Sequence, residues 1–187
     1  MFFRYSTAIG TFVLDGMLLL LMFLIARGLP LRDAFALRRP ASWPRSIQIA
    51  AAALIASWTT SLVLEILVGH AVREQAVPQF FDETRLAAFA LNALAIAVFV
   101  PIVEESACRG IGYFLLVPYG DRVAVVGSAV AFALAHGAVL DLPWVLVTGL
   151  GLGYLRWRSG SLAPCVLLHA TVNGVAIAAS ALSAVPA

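Results

Sequence analysis

Six apolar segments, separated by short polar or basic connections, make up most of the chain. They cover residues 7–26, 47–68, 86–117, 123–138, 142–155 and 162–182. A helix that crosses a bilayer needs about 20 apolar residues, so the first, second and sixth segments have the length of one span, while the fourth and fifth are short. This pattern predicts an all-α fold, a polytopic integral membrane helical bundle with about six transmembrane segments.

The third segment, residues 86–117, is too long for one perpendicular span and carries Pro101 near its middle. A proline inside a helix removes a backbone hydrogen bond and kinks the helix. Two structures are compatible with this pattern: one tilted, broken helix, or a re-entrant piece followed by a span. Two adjacent carboxylates and an arginine follow the proline, and they are Glu104, Glu105 and Arg109.

The composition agrees with a membrane protein. Hydrophobic residues make up 62% of the chain, charged residues only 12%, and the mean hydropathy is +0.97. A soluble domain carries about twice this share of charge. The net charge of +2 comes without a long basic run, so we expect the lipid bilayer as a partner and no nucleic acid. The two cysteines, Cys108 and Cys165, lie in apolar segments and predict neither a disulfide framework nor a zinc knuckle.

The arginines predict an orientation. The connection over residues 27–45 holds five arginines and one acid, and Arg122, Arg156 and Arg158 follow the third and fifth segments. The connection over residues 70–85 has mixed charge. Because basic loops stay in the cytoplasm, this distribution places both termini outside, and Arg4 near the N-terminus is weak evidence against this orientation.

Ionisable side chains inside a membrane are costly, so they persist mainly where they pair or function. Glu105 and Arg109 are four residues apart and face each other on a helix. Glu104 lies about 100° further round the same helix and is free to face other groups. We therefore expect Glu105 to be a charged supporting residue and Glu104 to be chemically active.

His136 and His169 lie in two other apolar segments, and counting about 1.5 Å per residue brings them to depths that overlap with that of Glu104. A glutamate at this position suits a general base that deprotonates water, with His136 orienting that water. His169 and Asn173, one helical turn apart, could donate hydrogen bonds to an oxyanion. These groups are sufficient for amide hydrolysis without a covalent intermediate.

Two other uses of the same side chains stay open. Glu104, His136 and His169 are a familiar set of zinc ligands, although the chain has no His-Glu-x-x-His motif. The Glu–Arg pair and the histidines could also serve only to lock helices together. We favour a site without a cofactor and keep zinc as the alternative.

Three motifs occur in order: Glu104-Glu105-x-x-x-Arg109-Gly110, Phe132-x-x-x-His136 and His169-x-x-x-Asn173. Together with residues 149–164, they resemble the CPBP family (CAAX protease and bacteriocin-processing, or Abi) of intramembrane proteases. The resemblance begins at about residue 86.

The resemblance implies an all-helical membrane endopeptidase in which Glu104 and His136 activate water. His169 and Asn173 would then stabilise the oxyanion, and Glu105 and Arg109 would support the site. The family has been described first as metal-dependent and later as glutamic, so the resemblance leaves zinc open. We expect one membrane domain over residues 1–187, with a protease-like core over about 86–182 and two additional transmembrane helices in 1–85.

The chain departs from the family in having three small residues between the Glu pair and the arginine, Ser106, Ala107 and Cys108. The family often has bulky apolar residues there. Smaller ones predict a wider site or room for another helix.

The predicted function is that of an intramembrane endopeptidase in a prokaryotic plasma (inner) membrane. It would cleave in or near the membrane-anchored tail of another protein, for example a C-terminal sorting tail. One alternative is a non-catalytic bacteriocin-immunity or scaffold protein of the same fold. Another is a small ion-coupled transporter that uses Asp15, Glu65 and Glu104, although we expect Asp15 and Glu65 to form hydrogen bonds between helices.

Gly149, Gly151 and Gly153 form a stripe of small residues in the fifth segment. Small residues let the backbones of neighbouring helices approach closely inside a membrane. The stripe therefore predicts close helix packing at this segment.

Overall fold

The computed structural model describes residues 3–68, 83–137 and 139–183. All regular structure in these ranges is helical, which confirms the all-α fold. The helices are α1 (Tyr5–Ile25), α2 (Leu31–Ala34), α3 (Trp43–Val68), α4 (Leu86–Tyr119), α5 (Asp121–Ala135), α6 (Leu142–Ser159) and α7 (Ala163–Ser183).

Four of the described helices, α1, α3, α4 and α7, are long and apolar enough to cross a membrane. Helices α5 and α6 coincide with the predicted fourth and fifth segments but have only 15 and 18 residues. At a rise of 1.5 Å per residue they are about 22 and 27 Å long. The bundle is therefore that of an integral membrane protein. Four of the described helices have the length of a full span, whereas α5 and α6 are shorter than the predicted six-span bundle requires.

Helix α4 is a single helical run, which decides between the two structures left open for the third segment. It contains two π-helical stretches, Ala95–Phe99 and Ser106–Gly112. A π-helix pairs each N–H with the carbonyl five residues back, so each stretch accommodates an extra residue without ending the helix. Pro101, which has no N–H, directly follows the first stretch. The helix continues through the proline because the π-helical turn absorbs the missing hydrogen bond.

Helix α5 ends at Ala135, earlier than the predicted end of its segment at residue 138. Gly137 has a φ of +65°, the left-handed conformation that commonly terminates helices. His136 is therefore the C-terminal cap of α5 and not a residue within the helix.

Helices α1 and α4 run side by side in the same direction. The ring of Phe3 packs on that of Phe89 at 4.9 Å, near the start of both helices. Met22, near the end of α1, lies in one apolar cluster with Ile111 of α4. Helix α3, which joins them in sequence, therefore carries the chain back to the end at which α4 starts.

Helix α6 packs closely between α3 and α5 along its glycine stripe. A Cβ atom added at Gly149 would lie 3.2 Å from the backbone of Ala129 in α5. One added at Gly151 would lie 2.6 Å from the Cβ of Ala53 in α3. The predicted close packing at this stripe is confirmed.

The connection after α1 meets the α6–α7 turn at one end of the bundle. The amide of Ala41 donates to the carbonyl of Ser159 at 2.9 Å, and the Ser161 hydroxyl donates to the carbonyl of Arg38 at 2.5 Å. The arginines used for the orientation therefore lie at one end, which we call the basic end. Most of the mixed-charge connection, residues 69–82, lies outside the described residues.

Candidate active site

Three helices bring the predicted reactive side chains together. The Oε2 atom of Glu104 in α4 lies 3.9 Å from Nε2 of His136 at the end of α5. The same oxygen lies 3.8 Å from Nε2 of His169 in α7. The predicted convergence of these three residues is therefore observed, and their catalytic roles stay predictions.

Glu104 and Glu105 occupy different environments although they are neighbours in sequence. The side chain of Glu104 is 31% exposed, whereas that of Glu105 is fully buried. Oε2 of Glu104 has no hydrogen-bond partner among the described residues. Glu104 is thus the partly exposed carboxylate of the pair, while its Oε2 atom, which faces both histidines, is itself buried.

Glu105 holds His169 in place. Its Oε1 atom accepts hydrogen bonds from Nδ1 of His169 at 2.9 Å and from the Arg109 guanidinium at 3.1 Å. Because a carboxylate paired with arginine only accepts, Nδ1 of His169 carries a proton. Nε2 of His169, which faces Glu104, carries a second proton only in the imidazolium form.

His136 is held through its other ring nitrogen. Its Nδ1 atom lies 2.7 Å from the carbonyl oxygen of Phe132. A carbonyl oxygen only accepts, so Nδ1 carries the proton and Nε2 of the neutral ring is an acceptor facing Glu104. The side chain of His136 remains 18% exposed.

Arg109 joins three helices beneath the site. It is fully buried, and besides binding Glu105 it donates to the carbonyl of Gly149 in α6 at 2.8 Å. Its guanidinium carbon lies 4.4 Å from the ring centre of Phe132 in α5. The predicted supporting pair is therefore formed, and the guanidinium also fixes α4 against α5 and α6.

Phe132 is a supporting residue to which the sequence analysis assigned no role beyond its motif position. Its ring centre lies 4.4 Å from that of His136 and 5.5 Å, edge-on, from that of His169. The phenyl ring thus contacts both histidine rings and the Arg109 guanidinium. The Gly149 carbonyl was also missed, because a backbone acceptor leaves no signal in sequence.

Asn173 lies one turn beyond His169 and points toward α4. Its amide nitrogen donates to the carbonyl of Ile96 at 2.9 Å. Ile96 lies in the first π-helical stretch, five residues before Pro101, which cannot supply an N–H to this carbonyl. The amide has two hydrogens and this bond uses one, so one remains for a ligand.

Asp15 in α1 lies at the level of Glu104, which the sequence did not indicate. The ring of Phe12 packs on that of Phe99 at 5.2 Å, and Asp15 and Glu104 follow these residues along the two parallel helices. Repulsion between the two carboxylates is one of the electrostatic interactions that act on Glu104. The interhelical hydrogen bond expected for Asp15 is not found among the described residues.

The small residues after the Glu pair contact neighbouring helices. Ala107 packs against the apolar cluster that contains Met22 of α1. Cys108 packs against the cluster around Phe132, and both cysteines are free thiols. The prediction that small residues here admit another helix is confirmed for α1.

Within the described residues, no group of three or more His, Cys, Asp or Glu side chains is placed to hold a metal ion. Glu104, His136 and His169 have the donor atoms that zinc prefers, but their arrangement does not meet this condition.

Comparison with known protein families gives one finding. The family model described as type II CAAX prenyl endopeptidase Rce1-like matches residues 86–175. This range contains all six predicted site residues. Neither the curated proteins nor the solved structures yield a match.

Proposed function

Since the chain belongs, through residues 86–175, to the Rce1-like family of CAAX-type membrane endopeptidases, which is the CPBP family, we propose that it is a glutamic-type intramembrane endopeptidase. It would hydrolyse a peptide bond in or near the membrane-anchored tail of another protein. One observation carries this proposal: a partly exposed glutamate lies within 3.9 Å of two histidines whose Nδ1 atoms are both engaged.

The first step would be activation of water. Both Oε2 of Glu104 and Nε2 of His136 accept hydrogen bonds, so a water molecule between them donates one bond to each. Its lone pairs then point away from these acceptors and toward a substrate carbonyl carbon. Glu104 takes the proton as the oxygen attacks.

The second step would be stabilisation of the oxyanion. His169, as an imidazolium balanced by Glu105, would donate through Nε2, and Asn173 would donate its remaining amide hydrogen. Glu104 would then return its proton to the amide nitrogen as the C–N bond breaks. The products are a carboxylic acid and an amine, Glu104 is again a carboxylate, and no covalent intermediate forms.

Access to the site favours substrates that approach from the end opposite the basic end. Helix α5 ends at Ala135, next to His136, and α6 begins at Leu142, so neither helix extends far beyond His136 at the end opposite the basic end. With the basic end in the cytoplasm, the site opens toward the outer half of a prokaryotic plasma membrane. A secreted protein held by a C-terminal sorting tail would suit this geometry.

The test compares membrane and secreted proteomes of cells that carry the wild type or Glu104→Gln. This substitution removes the base while keeping shape and hydrogen bonding, and general bases contribute about 10²–10⁴-fold to rates. We expect specific proteins to keep an uncleaved membrane tail only in the mutant. Glu65→Gln, the same change in α3, is the matched control.

Identical proteomes, under conditions in which a deletion has a phenotype, would favour the non-catalytic immunity or scaffold alternative. The catalytic class is tested separately on purified protein and a substrate found in this way. A chelator is expected to leave cleavage unchanged. Loss of cleavage that zinc restores would instead assign Glu104, His136 and His169 as metal ligands.

A further inference from the structure

A cavity of about 410 Å³, lined by both polar and apolar residues, lies at the basic end of the bundle, separate from the candidate active site. It is bounded by the connection after α1, the end of α4, the start of α5 and the end of α6. The lining residues that matter for its chemistry are Asp33, Arg38, Tyr113, Asp121, Arg156 and Trp157.

Arg156 is the central charged group of this cavity. The residue is only 6% exposed, its Nε donates to the carbonyl of Arg109 at 3.0 Å, and its guanidinium lies over the ring of Tyr113 at 4.8 Å. None of the ion pairs in the described part of the chain involves Arg156. Only the Nε–H of this guanidinium has a hydrogen-bond acceptor among the described residues, so its terminal N–H groups are able to bind an anion.

The other charged side chains of the cavity have partners. Arg38 lies 3.6 Å from Asp33, and Asp121 accepts a hydrogen bond from the Tyr113 hydroxyl at 3.2 Å. Among the charged groups that line the cavity, Arg156 is thus the one without a counter-charge. A ligand needs at least one negative charge to complement it.

The surroundings of the cavity also favour an anion. The acids of this end are Asp33 and Asp121. The arginines outnumber them, and these are Arg27, Arg32, Arg38, Arg39, Arg45, Arg122, Arg156 and Arg158. Such an excess attracts anions. Trp157 lines the cavity, and tryptophan is enriched at membrane interfaces.

We propose that this cavity binds the phosphate of a phospholipid headgroup, with Arg156 as its main contact and Arg38 as a second. A guanidinium matches a phosphate with two parallel hydrogen bonds. Basic pockets between transmembrane helices near the cytoplasmic surface are known to hold lipid headgroups. This binding goes beyond the proposed protease activity and does not depend on it.

The test is native mass spectrometry of the full chain in detergent, titrated with phosphatidylglycerol. We expect Arg156→Gln to weaken binding about tenfold or more, because a charge-assisted hydrogen bond is lost. Arg38→Gln should weaken binding less. Arg158→Gln, which removes the same charge from the same helix end outside the cavity, should leave it unchanged. Diacylglycerol, which lacks the phosphate, should not be retained.

Val117→Trp provides a second variant that leaves both arginines in place, because Val117 lines the cavity and the larger side chain fills it. It should also weaken binding, and thermal unfolding shows whether each variant is folded. Displacement of the lipid by inorganic phosphate at comparable concentration would identify free phosphate as the ligand. Equal lipid binding by the Arg156→Gln and Arg158→Gln variants would overturn the proposal. It would also be overturned if Arg156→Gln changed only the KM of substrates that end in a free carboxylate, since the cavity would then bind the substrate and not a lipid.

Discussion

The two histidines of the site are held in the same manner but by different partners. His136 is anchored through Nδ1 by a neutral carbonyl oxygen, whereas His169 is anchored through Nδ1 by the buried carboxylate of Glu105. In the proposed mechanism the two rings have opposite tasks, since His136 accepts a hydrogen bond from water and His169 donates one to an oxyanion.

Arg109→Gln should destabilise the protein, because it leaves the fully buried Glu105 without its charge partner. Removing one partner of a buried ion pair typically costs about 3–5 kcal/mol. Thermal unfolding in detergent measures this loss. The double variant Glu105→Gln/Arg109→Gln should recover part of the stability but not the cleavage activity, since His169 then lacks its carboxylate. Equal stability of the single variant and the wild type would contradict the structural role of the pair.

Asp15→Asn should retain most cleavage activity, in contrast to Glu104→Gln. Asp15 forms no hydrogen bond or ion pair with a described residue, so its carboxylate acts on Glu104 only through repulsion at a distance. Initial rates on one substrate, measured for both variants, test this difference. Comparable losses would support the ion-coupled transporter alternative, in which Asp15, Glu65 and Glu104 work together.

At the scale of the helices, the site depends on how closely α6 approaches its neighbours. Gly149 combines two functions there, since its missing side chain admits α5 and its carbonyl oxygen binds Arg109. Ser57 of α3 and Thr148 of α6 add a buried hydrogen bond of 2.6 Å on the opposite side. Helix packing and the support of Glu105 are thus coupled through one backbone position.

Gly149→Val should lower stability and activity together. The new side chain meets the α5 backbone at Ala129, and overpacking of this kind typically costs about 1–3 kcal/mol. Unfolding temperature and cleavage rate measure the two effects. Gly16→Val in α1, where a Cβ meets no described atom within 4 Å, is the matched control and should change both values little. A stable, inactive Gly149→Val variant would show that the carbonyl position matters more than the packing.

At the scale of the whole molecule, the parallel packing of α1 and α4 places the start of α1 and the start of α4 at the same end. Helix α7 runs from the basic end toward that same end, because Ser161 contacts Arg38 whereas Asn173 contacts Ile96. Both ends of the described chain therefore lie away from the basic end, and Arg4 and Arg85 are the described arginines at this opposite end. This arrangement agrees with the orientation predicted from charge, whose assignment to the two sides of the membrane stays a prediction.

A reporter inserted in the turn at Asp141, just before α6, should report a position outside the cytoplasm. One inserted in the connection around Gly120 should report a position inside it. The expected result follows from the arginines at the basic end, which resist translocation. An alkaline phosphatase reporter, active only outside, and a fluorescent reporter, active only inside, measure this directly. A cytoplasmic Asp141 turn would contradict access from the outer half and, with it, the proposal of secreted substrates with a sorting tail.

The sequence by itself determined the helical membrane class, the pairing of Glu105 with Arg109 and the ordered set of candidate site residues. These features are local: apolar length, a four-residue spacing and motif order are all written along the chain. Only the tertiary structure decided that α4 continues through Pro101, that Asn173 binds the Ile96 carbonyl, and that Asp15 lies at the level of Glu104. Each of these depends on the register between helices distant in sequence. That register is determined by backbone geometry and side-chain packing, and neither is encoded in hydrophobic periodicity.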